Sequence, residues 1–110
     1  MNISTCVLDF TLGRPVCDVV VSLEHRTVGG WRRFGSTRTD TRGKARDWGA
    51  VPTAPGVYRL VFDTGAYFAA NGVSSSHPEI VITVLADAEN CSVHVPLLLG
   101  PHAYSTYLRM

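Results

Sequence analysis

Apolar residues recur at every second position in most segments of this chain. In residues 56–63, for example, Tyr58, Leu60 and Phe62 alternate with smaller or charged neighbours. Successive side chains of a β-strand point to opposite faces, so this pattern predicts a strand with one buried face. The same pattern predicts further strands at residues 4–10, 17–24 and 31–37. Residues 79–85 are apolar on both faces, as expected of a strand packed in a sandwich or covered by a subunit, and residues 91–98 and 103–108 form the last two predicted strands. A chain with so many short strands is expected to form a β-sheet protein.

One short segment, residues 66–70, has the features of a helix instead. Asp63 and Thr64 can cap its start, and Asn71 and Gly72 can end it. Glycine and proline turns separate the remaining segments. These features predict an all-β sandwich of seven or eight strands with one short helix, formed by residues 1–110 as a single domain.

Charge and hydropathy argue against two classes of partner. Of the 110 residues, 45% are hydrophobic, and the net charge is only +1. The chain therefore lacks the overall positive charge that would attract nucleic acid. No segment reaches the ~18–20 apolar residues that a membrane span needs, and the N-terminus does not resemble a signal peptide. Cys6, Cys17 and Cys91 lack the paired spacing of a metal or redox motif. We therefore expect reduced thiols in a cytoplasmic protein without metal or cofactor.

Two segments, one near each end, carry a more specific signal. Residues 91–107 read CSVHVPLLLGPHAYSTY, a strand with a histidine, a break and a second short strand. Residues 7–15 read VLDFTLGRP, a strand followed by a turn. Together with PGVYRL at residues 55–60 and FDTGAYF at residues 62–68, these motifs resemble the transthyretin family. The resemblance is to its 5-hydroxyisourate hydrolase branch, which acts in purine catabolism, and it spans nearly the whole chain.

This resemblance implies a fold, an assembly and a place for the site. The fold is a transthyretin-like β-sandwich, and the assembly is a homotetramer built as a dimer of dimers. The site is a cleft between subunits that takes a small cyclic molecule. The family's hydrolases open the ring of 5-hydroxyisourate by adding water. Such a reaction needs a base that activates water and a cation or donor that stabilises the oxyanion.

Family hydrolases use two histidines, one arginine and a C-terminal Tyr-Arg-Gly-Ser for this chemistry. His94 matches the second histidine, and strand alternation places it on the face of Ser92, opposite Val93 and Val95. Because imidazole titrates near neutral pH, His94 is the expected proton carrier. The alternative is a histidine that only satisfies hydrogen bonds at an interface.

The position of the first family histidine is occupied by Cys6, directly before the Val-Leu-Asp motif. A thiol cannot do the same proton work, because its ordinary pKa is ~8.5 whereas that of imidazole is ~6.5. Two hypotheses follow. Cys6 is a thiolate nucleophile assisted by His94, or it is a small buried filler.

The position of the family arginine is occupied by Lys44, at the end of the turn formed by residues 41–44. Lysine keeps the positive charge but loses the planar fork that matches two adjacent acceptors. Arg42 or Arg46 can compensate, and alternation places Arg46 on the side of Lys44. The alternative is a solvated turn.

The C-terminal tetrapeptide reads YLRM at residues 107–110, so its tyrosine is kept, its arginine is displaced and its serine is absent. We expect the cleft between subunits to be lined by Ser105, Thr106 and Tyr107. His102 stands where the family has an aromatic residue. It is either a further substrate-binding residue or an exposed loop histidine.

Replacements at three places in one site predict weak turnover of 5-hydroxyisourate. The sequence predicts a divergent hydrolase with His94, Cys6 and Lys44 as catalytic residues, opening 5-hydroxyisourate or a related small cyclic amide or imide-like ring. The same fold also hosts hormone carriage, so a non-catalytic ligand-binding protein is the alternative, and a scaffold is a third hypothesis.

Overall fold

The computed structural model describes residues 1–87 and 92–108. Within these ranges the chain forms nine strands and one helix. In order they are β1 (Asn2–Asp9), β2 (Arg14–Pro15), β3 (Val20–Thr27), β4 (Gly30–Arg38), β5 (Lys44–Ala45), β6 (Gly56–Phe62), α1 (Thr64–Ala70), β7 (Ile80–Ala86), β8 (Ser92–Leu99) and β9 (Tyr104–Thr106). The predicted all-β fold with one short helix is confirmed. Cys91, Arg109 and Met110, which the sequence analysis named, lie outside the described residues.

The strands form two sheets. Sheet A has the order β2-β1-β8-β9, and β5 also pairs with β1. Sheet B has the order β4-β3-β6-β7. The pairing of β1 with β8 is parallel, and the other pairs in both sheets are antiparallel. Alternation does not reveal β2 and β5, because two residues are too few to show a period.

The core lies between the two sheets and follows the period-two pattern. On β6 the side chains of Tyr58, Leu60 and Phe62 are buried, whereas those of Val57, Arg59 and Val61 remain partly exposed. On β8 the residues buried in the core are Val93, Val95, Leu97 and Leu99. Burying one such side chain stabilises the fold by about 1.5–3 kcal/mol. Since the odd positions of β8 face the core, its even positions, including His94, face outward.

The beginning of β3 differs from the prediction. In the strand predicted at residues 17–24, period-two alternation would put Cys17 on the same face as Val19, Val21 and Leu23. These three apolar residues are buried as expected, but Cys17 is exposed and precedes the strand. The reason is Asp18, whose φ of 65° is left-handed and turns the chain before the extended run begins.

Helix α1 has two turns and connects β6 to β7, which are neighbouring strands of sheet B. Asp63 occupies its N-cap position but makes no side-chain capping hydrogen bond, so that part of the prediction is wrong. The helix ends at Asn71 and Gly72 as expected, with Gly72 at a φ of 67°. Phe68 of the helix is buried in the core. Among the described residues, no helix is both long and apolar enough to cross a membrane.

A buried carboxylate fixes the turn after β1. Asp9 is 2% exposed, and its Oδ1 accepts hydrogen bonds from the backbone N–H and hydroxyl of Thr11 and from the Leu12 N–H. The Tyr67 hydroxyl of α1 donates to Asp9 Oδ2 at 2.8 Å. Burial alone would raise the pKa of Asp9, but these hydrogen bonds outweigh it and lower the pKa. An ionised Asp9 therefore ties the helix to the end of β1.

Candidate functional site

The outward side chains of β1 provide two of the site residues. Ser4 and Cys6 are half-buried on the outer face of sheet A, whereas the intervening Ile3, Thr5 and Val7 are buried toward the core. Thr5 holds the strand in place, because its hydroxyl donates to the Val95 carbonyl of β8 at 2.6 Å. Cys6 carries a thiol and is half-buried. The backbone register therefore fixes where both polar side chains point.

His94 lies next to Ser4 because β1 and β8 run parallel in register. Ser4 is the partner of His94 across the two strands, and Cys6 is the partner of Pro96. The side chains of directly opposite residues in neighbouring strands share a face. Ser4 Oγ and His94 Nδ1 are 2.8 Å apart, which is a normal hydrogen-bond distance. The half-buried imidazole is thus held on the outer face of sheet A.

A tight turn between β4 and β5 presents Lys44. The Asp40 carboxylate accepts hydrogen bonds from the backbone N–H groups of Arg42 and Lys44, both at 2.9 Å. These hydrogen bonds, with that of Lys44 the strongest, hold the pKa of Asp40 below its ordinary value. Gly43 has a φ of 76°, and a Cβ at this position would lie 2.4 Å from the Val7 carbonyl oxygen. Only glycine allows the turn to approach β1 this closely.

Strand pairing brings the three predicted catalytic residues together. Lys44 pairs with Cys6 across β5 and β1, and His94 pairs with Ser4 one alternation further along β1. Neighbouring strands are about 4.8 Å apart, and residues two apart in one strand are separated by roughly 6.8 Å. Cys6 therefore has Lys44 beside it on one neighbouring strand and His94 one alternation further along on the other, and we call these three residues with Ser4 the site face.

Arg46 extends the positive charge of the site face. Ala45 is buried, whereas Lys44 and Arg46 are exposed on its two sides, as the predicted alternation requires. A polar cavity of about 330 Å³ lies at this end and is lined by Asn2, Ile3, Ser4, Arg46 and Ser92. The guanidinium and the Ser4 hydroxyl thus border the same space.

The C-terminal strand contributes residues in two directions. Ser105 pairs with Leu98 of β8 and so lies on the outer side of sheet A, the side of His94. Thr106 pairs with the core residue Leu97, and its hydroxyl donates to the Pro96 carbonyl at 2.7 Å. Tyr107 follows the strand and is exposed. By alternation, Ser105 and Tyr107 share the side of the site face.

His102 lies in the turn between β8 and β9. Its Nδ1 is 2.6 Å from the Ser76 hydroxyl, in the connection between α1 and β7. His102 is exposed. Its recorded contact therefore joins two loops at one end of the sandwich, and a role in substrate binding stays a prediction.

A larger cavity, of about 620 Å³, lies elsewhere, between the start of β3 and helix α1. It is lined by residues that include Arg14, Cys17, Arg38, Asp63 and Tyr67. Partial desolvation raises the pKa of the Cys17 thiol, and the neighbouring Asp18 carboxylate adds to the increase. A thiol with a raised pKa is a poor nucleophile near neutral pH. The smaller site face, not the larger cavity, therefore carries the groups suited to acid–base chemistry.

Comparisons with known proteins agree with this arrangement. Residues 3–108 match the sequence model of the HIUase/Transthyretin family. A 5-hydroxyisourate hydrolase of Salmonella dublin is 37% identical over 106 residues, covering 96% of this chain and 78% of that protein. The chain belongs to the HIUase/Transthyretin family.

Other members of the HIUase/Transthyretin family are similar over the same extent. A 5-hydroxyisourate hydrolase of Caulobacter vibrioides is 35% identical, covering 96% of each chain. The solved structure of Klebsiella pneumoniae 5-hydroxyisourate hydrolase matches with a TM-score of 0.86 at 30% identity, covering all of both chains. Sea bream transthyretin in complex with thyroxine matches with a TM-score of 0.91 at 27% identity, covering 98% of this chain and 94% of that one.

Ser4 is a polar residue of the site face that the family signature does not single out. One signal could have found it, since period-two alternation puts Ser4 on the same side of β1 as Cys6. Its position beside His94 could not be read in the same way. That contact depends on the parallel pairing of β1 with β8, which neither segment specifies alone.

Proposed function

We propose that this chain is a hydrolase that opens 5-hydroxyisourate, or a related small ring with cyclic amide or imide bonds, on the site face. The observation that carries the proposal is that Lys44 and His94 lie on the two strands that flank β1, the strand of Cys6. The full-length similarity to 5-hydroxyisourate hydrolases supports the same activity. A non-catalytic ligand-binding protein is not favoured, because these relatives are enzymes.

In the proposed reaction His94 carries the proton and Lys44 stabilises charge. His94 takes a proton from water as the water oxygen attacks the ring carbonyl, which leaves a negative charge on the carbonyl oxygen. The Lys44 ammonium stabilises that oxyanion. When the C–N bond breaks, the imidazolium returns its proton to the departing nitrogen. The products are an open carboxylic acid and an amine or amide nitrogen, with one water consumed.

The role of Cys6 has two alternatives, a nucleophile that forms an acyl intermediate or a wall of the pocket. A thiolate next to a cation is the more reactive form, and Lys44 is the strand partner of Cys6. Cys17 provides an internal reference, because it is exposed and its thiol pKa is raised. An activated Cys6 should react with iodoacetamide faster than Cys17 at pH 7, and more slowly after Lys44→Gln. Equal slow labelling of both thiols favours the pocket wall.

Substrate binding is proposed for the polar groups around this centre. Arg46 and Ser105 lie on the side of the site face, and Tyr107 follows by alternation. The Thr106 hydroxyl donates to the Pro96 carbonyl, so Thr106 would affect substrate binding only by holding β9 against β8. His102 would reach the substrate only from the end of the sandwich. No cofactor or metal is part of the proposed reaction.

A homotetramer, a dimer of dimers, is proposed because the single chain leaves two sheet edges open on one side. Among the described residues, β7 pairs with β6 alone and β9 with β8 alone. His77, just before β7, contacts the ring of Tyr104 in β9 at 5.1 Å, so the two edges lie close together. A second copy can extend both sheets there, and it would also cover exposed apolar side chains such as Leu85 and Leu108.

Light scattering at micromolar concentration should give the mass of four chains. A monomer would remove the basis for a cleft between subunits. A cytoplasmic location is also proposed, because the spacing of the three cysteines favours reduced thiols, and cell fractionation tests it.

Replacing His94 tests the proposed function. The rate of 5-hydroxyisourate loss, corrected for uncatalysed decay, should fall about 10²–10⁴-fold in His94→Gln, because a general acid–base group contributes that much. The matched control is His25→Gln, since His25 stacks on Tyr58 in sheet B at 4.3 Å between ring centres. The control should keep its kcat. A fully active His94→Gln variant, or a wild-type chain no faster than the uncatalysed reaction, contradicts the proposal.

A further inference from the structure

The contact between Ser4 and His94 has a chemical consequence beyond packing. Both residues sit on paired strands in the middle of sheet A, so the backbone fixes the two side chains relative to each other. The Ser4 Oγ lies 2.8 Å from Nδ1, not from Nε2, of the ring. A hydrogen bond to one named ring nitrogen sets both the orientation of an imidazole and its tautomer.

A neutral imidazole has one protonated and one unprotonated nitrogen, whereas a serine hydroxyl can either donate or accept. If Ser4 accepts a hydrogen bond from Nδ1–H, the lone pair used for proton transfer is on Nε2. If Ser4 donates to Nδ1, then Nε2 carries the proton, so Nε2 can donate a proton but cannot accept one. The two arrangements therefore give His94 opposite roles.

We propose that Ser4 is a positioning residue that accepts the Nδ1–H of His94 and so holds the ring in the tautomer whose Nε2 accepts a proton. This inference rests on the proposed function, in which His94 takes a proton from water. The hydroxyl differs from the aspartate that orients histidine in many hydrolases, because it carries no charge. It orients the ring and stabilises the imidazolium less than a carboxylate would, so the proton remains easy to return to the leaving nitrogen.

The neighbouring groups are compatible with a neutral partner. Described residues on this side that titrate or carry charge include Cys6 on β1, its strand partner Lys44, and the exposed Arg46 next to β5. Lys44 and Arg46 already bring positive charge to this side, so a hydroxyl orients the ring without adding a further charge. Orientation by an uncharged hydroxyl therefore suits this surface.

Three variants separate positioning from a merely structural hydrogen bond. Ser4→Ala removes the hydroxyl, Ser4→Thr keeps it, and Ser4→Asp replaces it with a carboxylate. For Ser4→Ala we expect kcat to fall about tenfold to a hundredfold, by analogy with the loss when a group that orients a metal-binding histidine is removed. KM should change little, and Ser4→Thr should restore kcat to within about threefold. Ser4→Asp should shift the acid limb of the pH–rate profile to higher pH, because a neighbouring carboxylate favours the protonated imidazole.

The tautomer itself can be observed by NMR of the protein with ¹⁵N-labelled histidine rings. The His94 signals are assigned by their loss in His94→Gln. The wild type should show the proton on Nδ1, and Ser4→Ala should shift the population toward the Nε2–H form. A wild-type ring protonated on Nε2 overturns the proposal. So does a Ser4→Ala variant that melts at a lower temperature but keeps kcat, because the contact is then structural.

The NMR spectra test the tautomer of His94 and the rates test the proposed function, so either prediction can be wrong without the other. If His94→Gln is fully active, the proposed function is wrong, while the wild-type spectrum still decides whether Ser4 sets the tautomer. If Ser4→Ala does not fold, the wild-type spectrum and the pH–rate profile of Ser4→Asp decide the question. An unchanged profile in a folded Ser4→Asp variant refutes the proposal.

Discussion

Replacing Lys44 with glutamine removes the positive charge beside Cys6 and leaves the turn that carries it. The Lys44 backbone N–H donates to Asp40 Oδ1 at 2.9 Å, and this hydrogen bond does not involve the side chain. Lys44 is exposed, so its replacement should change the free energy of unfolding by no more than about 0.5 kcal/mol. A loss of activity would therefore report on chemistry rather than on folding.

The size of that loss follows from the position of the charge. At about 4 Å, a unit positive charge stabilises a unit negative charge by about 1 kcal/mol in water and about 4 kcal/mol near a protein surface. In the proposed tetramer the site face is partly covered, so we expect an intermediate value of about 2–3 kcal/mol. Since 1.36 kcal/mol corresponds to a factor of ten, kcat/KM should fall roughly thirtyfold to 160-fold.

The assay is the initial rate of 5-hydroxyisourate loss, measured at several substrate concentrations and corrected for uncatalysed decay. The matched control is Arg42→Gln, which removes a cation from the same turn, where Asp40 holds only the backbone N–H of Arg42. Lys44→Arg should be at least as active as the wild type, because it keeps the charge and adds a planar fork. If Lys44→Gln and Arg42→Gln lose activity equally, or neither does, Lys44 does not stabilise the oxyanion.

Two further predictions concern the altered site and the buried carboxylate. Cys6→His combined with Lys44→Arg and a C-terminal Tyr-Arg-Gly-Ser should increase 5-hydroxyisourate turnover, since each missing group typically costs ~10²–10³-fold; a wild-type chain that already matches an unaltered hydrolase contradicts this. The lowered pKa of Asp9 means that its ionised form stabilises the fold above the unfolded pKa of ~3.9, and that this contribution is lost as the pH falls through the lower folded value. The free energies of unfolding of wild type and Asp9→Asn, measured with urea, should differ by about 1.5–3 kcal/mol at pH 7. This difference should become smaller as the pH falls through the pKa of Asp9, and a difference that does not change with pH refutes the prediction.

The fold could be predicted from the sequence wherever one strand carries its own pattern. Tyr58, Leu60 and Phe62 show the buried face of β6 without reference to any other segment. The prediction from this pattern was wrong at Cys17, because Asp18 adopts a left-handed backbone conformation that interrupts the extended chain. A non-glycine residue rarely adopts a positive φ, so the sequence gives little indication of this turn. Local patterns therefore located strands better than they located strand ends.

The candidate site was only partly predictable, because its contacts join distant segments. His94, Cys6 and Lys44 were selected by resemblance to family motifs, which mark positions and not distances. The pairing of Cys6 with Lys44 depends on β5, a strand of two residues with no visible period. The partner of His94 was missed, since serine in a strand has no distinctive signal and the parallel register is a property of the folded sheet.

The parallel contact between β1 and β8 also affects how the site arises during synthesis. Ser4 and His94 are 90 residues apart in the chain. At about 5–20 residues per second, the first strand leaves the ribosome roughly 5–18 seconds before its partner. In that interval β2 and β5 can pair with one edge of β1, while the edge that later pairs with β8 remains exposed. A nascent chain stalled before residue 92 thus holds the serine, the thiol and the lysine but not the imidazole, so chemistry on this face begins only after β8 has been synthesised.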